Sequence, residues 1–275
     1  MSRTNPFGPA AYALATGADA VGRLKVLHEI YSPMGQQVLV DAGISEGMTV
    51  ADFGCGPGAT TRLLAALVGP SGSVTGIDLH NAQIEEAGRL SAAEGFTNVR
   101  FMAADACKTG LAANQFDLAY CRFLLLHLKD PAVCLGEMWR ILKPGGILVV
   151  EDGDLASACS VPPTPLDVFG ELFSRLAPTR GVDYSVGNRL WHLVADAGFT
   201  ITNVNVHQPS ERAGSTGLLL KWSVEEAGPA FVEAGLITSE ELQRTVTEME
   251  SAARNPGVLA LAPRMSLVSA RKRVN

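Results

Sequence analysis

The chain has 275 residues, 47% of them apolar and 18% charged, and a formal net charge of −6, values that suit a globular protein with a substantial core. An acidic balance whose one basic run is Arg271-Lys272-Arg273 speaks against a nucleic-acid footprint. No apolar run is long enough to span a bilayer, residues 1–13 hold no apolar signal core, and the five cysteines lack C-x-x-C spacing; these features point to a cytoplasmic protein with reduced thiols and no membrane partner.

Residues 1–45 read as helices ahead of the first strand. Val21, Leu24, Leu27 and Tyr31 share one face, and Ser32-Pro33 predicts a restart, as N-cap and first-turn proline. From residue 48 to 152 short apolar runs at 49–53, 73–78, 98–103, 116–121 and 147–152 alternate with helical stretches at 59–68 and 82–94. Another helix starts at Asp130-Pro131, buries Leu135, Met138, Trp139 and Leu142, and stops at Pro144-Gly145-Gly146. Two later strands are expected at 199–208 and 264–272. Between them lies a helical insertion, with a capping box at Thr238 and Glu241. Strands joined by helices of this length force right-handed crossovers. The expected fold is a doubly wound α/β domain on a seven-stranded, mostly parallel sheet, with N-terminal helices and a helical insertion before the last strand.

Ligands of such sheets bind beyond the carboxyl ends of the strands, so the first strand–helix turn matters most. Here it reads Asp52-Phe53-Gly54-Cys55-Gly56-Pro57-Gly58-Ala59. Gly54 to Ala59 fits G-x-G-x-x-G/A, and Asp78 ends the second strand where a ribose acceptor would stand, so NAD is one candidate. Asp52 favours another. A carboxylate beside this turn repels a pyrophosphate but suits the ammonium and sulfonium of S-adenosylmethionine. A structural acid bonded to loop amides is the alternative role for Asp52.

With these residues in place, the chain resembles the class I S-adenosylmethionine-dependent methyltransferases, in particular their small-molecule, ubiquinone/menaquinone-biosynthesis-like group. Four stretches carry the resemblance in order: 50–58, 74–80, 102–106 and 142–152. It implies cofactor contacts at Asp52, Gly54, Cys55, Gly56, Asp78, Leu79, Ala104, Asp105, Ala106, Cys121 and Arg122, with S-adenosylhomocysteine as product. Asp78 would bind the ribose hydroxyls, Leu79 would pack on the adenine, and Asp105 would accept from its amine, or else cap a helix. Arg122 would pair with the cofactor carboxylate, or else form a surface ion pair. The division that follows is an N-terminal helical cap at 1–45, a cofactor-binding core at 46–208 and 263–275, with 155–197 partly lid, and an insertion or substrate lid at 209–262.

Methyl transfer is an in-line displacement that needs a base only when the acceptor must lose a proton. His127 and His28 are the catalytic candidates, with Tyr12, Tyr31 and Asp154 behind them; the alternative for His127, in a leucine-rich helix start, is a satisfied structural residue. Glu151 and Asp152 either face the pocket or are solvated at the rim. The five histidines share no ligand spacing, so no metal is expected. Tyr12, Tyr31, Trp191 and Trp222 are placed in the substrate lid, together with Phe169, Phe173, Leu218, Leu219, Leu220 and Phe231, as pocket walls or as packing. A partly apolar or aromatic small-molecule acceptor follows, with a homodimer contact through 212–236 as a further use of that stretch. The rival readings are an NAD-dependent oxidoreductase and a protein that binds S-adenosylmethionine without turnover.

Overall fold

The computed structural model describes residues 21–274. A long helix, α1 (Val21–Ala42), precedes the alternating core of β1 (Thr49–Phe53), α2 (Ala59–Val68), β2 (Ser73–Asp78), α3 (Asn81–Ala93), β3 (Val99–Ala103) and β4 (Phe116–Arg122). Next come α4 (Pro131–Ile141), β5 (Leu142–Asp154), the short β6 (Cys159–Val161), α5 (Val168–Arg180), α6 (Leu190–Asp196) and β7 (Thr200–His207). The chain closes with β8 (Ser210–Arg212), α7 (Ser215–Glu233), α8 (Ser239–Ala253), β9 (Leu259–Leu261) and β10 (Arg264–Arg271).

Seven strands form one sheet in the order β3-β2-β1-β4-β5-β10-β7. The first five run parallel, and β10 lies antiparallel to both β5 and β7. Strand order therefore reverses between β1 and β4, which opens a crevice at their carboxyl ends. Alternation along the strands divides the core in two. Val50, Leu118 and Val149 face α1 and α2, whereas Ala51, Phe53, Ala119, Leu148 and Val150 face α4, α5 and α6. The first face turns polar at its carboxyl end, where Asp52, Tyr120, Arg122 and Glu151 occupy adjacent positions in register.

The expected restart at Ser32-Pro33 does not occur: α1 runs unbroken through Pro33. A proline inside a helix removes one hydrogen bond, here the one that would reach the carbonyl of Glu29. Both residues lie on the exposed face, so water can satisfy that carbonyl, while Tyr31, Gly35, Val38 and Leu39 stay packed on the sheet. The starts of α4 and α8 are as read: Asp130 accepts from the Ala132 amide at 3.1 Å, and Thr238 and Glu241 close a reciprocal capping box. A small antiparallel sheet, β6-β9-β8, has no counterpart in the sequence reading. Strands of three residues are too short to show alternation.

Candidate functional site

A cavity of about 420 Å³ opens at the strand-order reversal. Its floor comes from the turns after β1, β2, β3 and β4, and its roof from α1, α5 and α7.

Three glycines make the first turn possible. Gly54, Gly56 and Gly58 have φ of +68°, +52° and +80°, a region where other residues are strained. A Cβ at Gly54 would stand 3.0 Å from Leu124, whereas one at Gly56 would enter open space. Backbone at Gly56 is therefore bare toward the cavity. Its amide donates to Asp78 Oδ2 at 3.0 Å, and the His80 amide donates to Asp78 Oδ1 at 2.9 Å. These two bonds fix the Asp78 carboxylate at the cavity wall, and burial raises its pKa. Leu79, next in sequence, remains 48% exposed at the cavity, a flat apolar surface suited to a purine ring. Asp105 accepts from the Cys107 amide at 2.8 Å; no helix follows it, so it closes a turn rather than capping a helix.

Asp52 is buried beneath this turn and still reaches the cavity. Its Oδ2 accepts from the Thr61 hydroxyl at 2.6 Å, not from loop amides. Burial pushes its pKa up to about 7, against the lowering effects of the Thr61 bond and nearby Arg122. Such a carboxyl gains most from an incoming cation, which would return it to its ionised form. A pyrophosphate on the same turn would instead meet both Asp52 and Asp78. The donor set thus fits a ligand with an ammonium or sulfonium, a diol and a purine. Arg122, whose Nη2 donates to His28 Nδ1 and to Thr60 Oγ1 at 2.9 Å each, adds a fixed cation for a carboxylate.

Residues 44–173 match the family model described as a methyltransferase domain. Over residues 44–173 the chain is a methyltransferase domain, similar to the class I S-adenosylmethionine-dependent enzymes. A demethylmenaquinone methyltransferase of Staphylococcus aureus is 37% identical over 114 residues, which cover 42% of this chain and 46% of that protein. The chain spans about half the length of the curated relatives it matches. Among solved structures, a SAM-dependent methyltransferase from Aquifex aeolicus aligns with TM-score 0.52 at 25% identity, over 66% of this chain and 90% of that one. Phosphoethanolamine N-methyltransferase 2 of Haemonchus contortus, in a structure that holds S-adenosylhomocysteine, shares the fold. Its TM-score is 0.55 at 17% identity, over 94% of this chain and 54% of that one. The domain's cofactor is S-adenosylmethionine; the glycine turn alone also suits a dinucleotide, but Asp52 beside it disfavours a pyrophosphate.

The methyltransferase domain gathers most of the expected residues and corrects several. Asp52, Gly54, Cys55, Gly56, Asp78, Leu79, Asp105, Ala106, Arg122, His28, His127 and Tyr31 all line the cavity. Ala104 and Cys121 do not; Cys121 points to the opposite face of β4, into the α4–α6 core. Trp191 is 43% exposed and stacks on His192 away from the cavity, and Trp222, Leu218 and Phe231 also lie outside it. Tyr12 lies outside the described residues. From the expected lid, Phe169, Phe173, Leu219 and Leu220 do form walls.

The histidines are poor proton acceptors. Arginine only donates, so His28 Nδ1 must accept and its ring proton sits on Nε2. Burial and Arg122 lower its pKa to about 4. His127 is half-buried, edge-on to Tyr184 at 5.9 Å, and desolvation together with Arg23 lowers its pKa to about 3. An imidazole with so acidic a conjugate acid is a weak base at neutral pH. Tyr31 donates its hydroxyl to the Pro263 carbonyl at 2.8 Å, and burial raises its pKa. Asp154 accepts from Ser185 at 2.7 Å and from Arg264 at 2.9 Å, and Asp152 accepts the amides of Leu125, Leu126 and Gly153. Both carboxylates are scaffold, and Asp152 shapes the turn that carries His127.

Arg23, His80 and Gln83 line the cavity without having been foreseen. Arg23 had a usable signal: it falls on the stripe of Leu27 and Tyr31, four residues apart, as a charge on an otherwise apolar face.

Proposed function

We propose that the protein is a cytoplasmic methyltransferase that moves a methyl group from S-adenosylmethionine to a small, largely apolar acceptor. The observation that carries this reading is the continuity of the cavity. It runs from the Asp52 and Asp78 carboxylates to a vault walled by Leu126, Phe169, Phe173, Leu219 and Leu220. Asp78 would hold the cofactor's ribose hydroxyls, Asp105 and Leu79 its adenine, and Asp52 and Arg122 its ammonium and carboxylate. When bound, S-adenosylmethionine supplies a methyl group already activated by its sulfonium. The chain's own task is then to orient and to keep water out, which the apolar vault and the roof of α1 and α7 support. Tyr31, tied to the Pro263 carbonyl, holds that roof to the rest of the molecule, and Arg23, paired with Glu226 at 2.7 Å, joins its two helices.

Calorimetric titration with S-adenosylmethionine, S-adenosylhomocysteine and NAD, after removal of co-purified ligand, tests the cofactor. Micromolar binding of the first two and silence from NAD are expected. Formation of S-adenosylhomocysteine, followed by mass spectrometry across aromatic and aliphatic acceptors, then tests turnover. Binding without turnover of any acceptor would favour a binding protein over an enzyme.

A further inference from the structure

The acceptor end of the cavity holds a charge that the cofactor roles leave unused. Arg23, on α1, lines the cavity with only 6% of its surface exposed. Its Nε donates to Glu226 Oε2 on α7 at 2.7 Å, which fixes the guanidinium. Its Nη2 is buried and has no hydrogen-bond partner among the described residues. A buried, unsatisfied donor on a charged group is costly, so a cavity that keeps one is built for a ligand atom that completes it. Neighbouring Ser223, one turn before Glu226 on α7, also lines the cavity. It gives its hydroxyl proton to the Leu219 carbonyl at 2.8 Å, so its oxygen is left to accept.

Resting on the methyltransferase reading above, we propose that Arg23 is the polar anchor for the acceptor, and that it receives the oxygen of a weakly acidic hydroxyl, a phenol or enol, on an otherwise apolar molecule. Three features select this chemistry. Arginine offers donors only, so Nη2 rejects an ammonium and accepts an oxygen. Glu226 shares the Arg23 charge, so the site does not demand a permanent anion and takes a hydroxyl that can enter with its proton and lose it there. Ser223 can accept the proton of that same hydroxyl. The anchor also answers the lack of a basic imidazole. A guanidinium against the oxygen favours its ionised form, the proton leaving to bulk water as the acceptor binds, without any protein base.

The test uses the full chain saturated with S-adenosylhomocysteine and two probes of the same shape, 7-hydroxycoumarin and coumarin, the first of which reports its own ionisation by absorbance. The hydroxyl probe should bind at least about tenfold tighter. Its ionisation midpoint should fall by about one pH unit on binding, an equal tenfold preference for the anion. Both effects should vanish in Arg23→Met and partly return in Arg23→Lys. Glu226→Gln, which leaves the guanidinium uncompensated, should lower the midpoint further. Equal affinity for the two probes, an unmoved midpoint, indifference to Arg23→Met, or failure of both probes to bind beside a bound S-adenosylhomocysteine would each overturn the anchor. Failure of S-adenosylhomocysteine itself to bind would instead overturn the reading on which it rests. Should Arg23→Met not fold, Arg23→Lys and Glu226→Gln carry the decision.

Discussion

The two halves of the cavity are built by different means. The half proposed for the cofactor consists of turns that each follow a strand, with backbone amides on carboxylates two residues away, His80 on Asp78 and Cys107 on Asp105, or at the end of the adjacent strand, Gly56 on Asp78. The acceptor half is made of side chains delivered by α1, α5 and α7, joined over long stretches of chain, as in Arg23 to Glu226 and Tyr31 to Pro263. The first half can be specified locally and hold one ligand chemistry, while the second can change its walls without disturbing the first. This division is the structural reason a cofactor is easier to infer than an acceptor.

The sharpest way to break the comparison is Phe173→Ala. Phe173 is 2% exposed and packs its ring on Phe169, Tyr184 and Phe231 at 4.8, 5.5 and 5.2 Å. Its truncation should cost about 4 kcal/mol in denaturant unfolding, yet leave the affinity of the folded fraction for S-adenosylhomocysteine within a few-fold. A collapse of that affinity at unchanged folding would show that the halves are not separable.

Asp78→Ala is the complementary change. It should weaken S-adenosylhomocysteine binding by about 3 kcal/mol, roughly a hundredfold in calorimetry, through lost charge-assisted bonds. Unfolding free energy should fall by less than about 2 kcal/mol. A larger loss of stability than of affinity would make Asp78 mainly a scaffold residue.

A smaller effect tests the layer beneath both halves. Glu151 is buried under α1, where a Cβ at Gly35 would stand 2.6 Å from its Oε1. Neither of its oxygens meets full hydrogen-bond geometry, and nearby Tyr120 and Arg122 only partly offset its burial. Burial raises its pKa from 4.5 to about 6. Its folded form therefore holds the proton more tightly than the unfolded chain does. Its contribution to stability is fully present below pH 4.5 and is lost as pH rises through 6. Glu151→Gln should accordingly stabilise the protein by about 2 kcal/mol at pH 8 and by nothing near pH 4. An equal gain at both pH values would mean that packing, not ionisation, limits α1 at this point.

Much of this architecture could be read from residue order alone. The apolar runs, the Gly54–Gly58 turn, the caps at Asp130 and Thr238, the acid ending β2 and the acid just after β3 are local features, each decided within a few residues. That locality fixed the order of the elements and most of the cofactor half. Other assignments depended on partners far along the chain. Pro33 stays helical because tertiary packing holds the opposite face of α1 and its freed carbonyl is exposed. Trp191 and Trp222 stand outside the cavity although their composition suits a lid. His28 and His127 lose their basicity to burial and to Arg122 and Arg23, which no spacing reveals. The sequence by itself determined the sheet, its switch point and the ligand-binding turn, because short-range sterics and hydrophobic period specify them. Only the tertiary structure decided which side chains enclose the acceptor and which of them can hold or release a proton, because burial and long-range pairing set both.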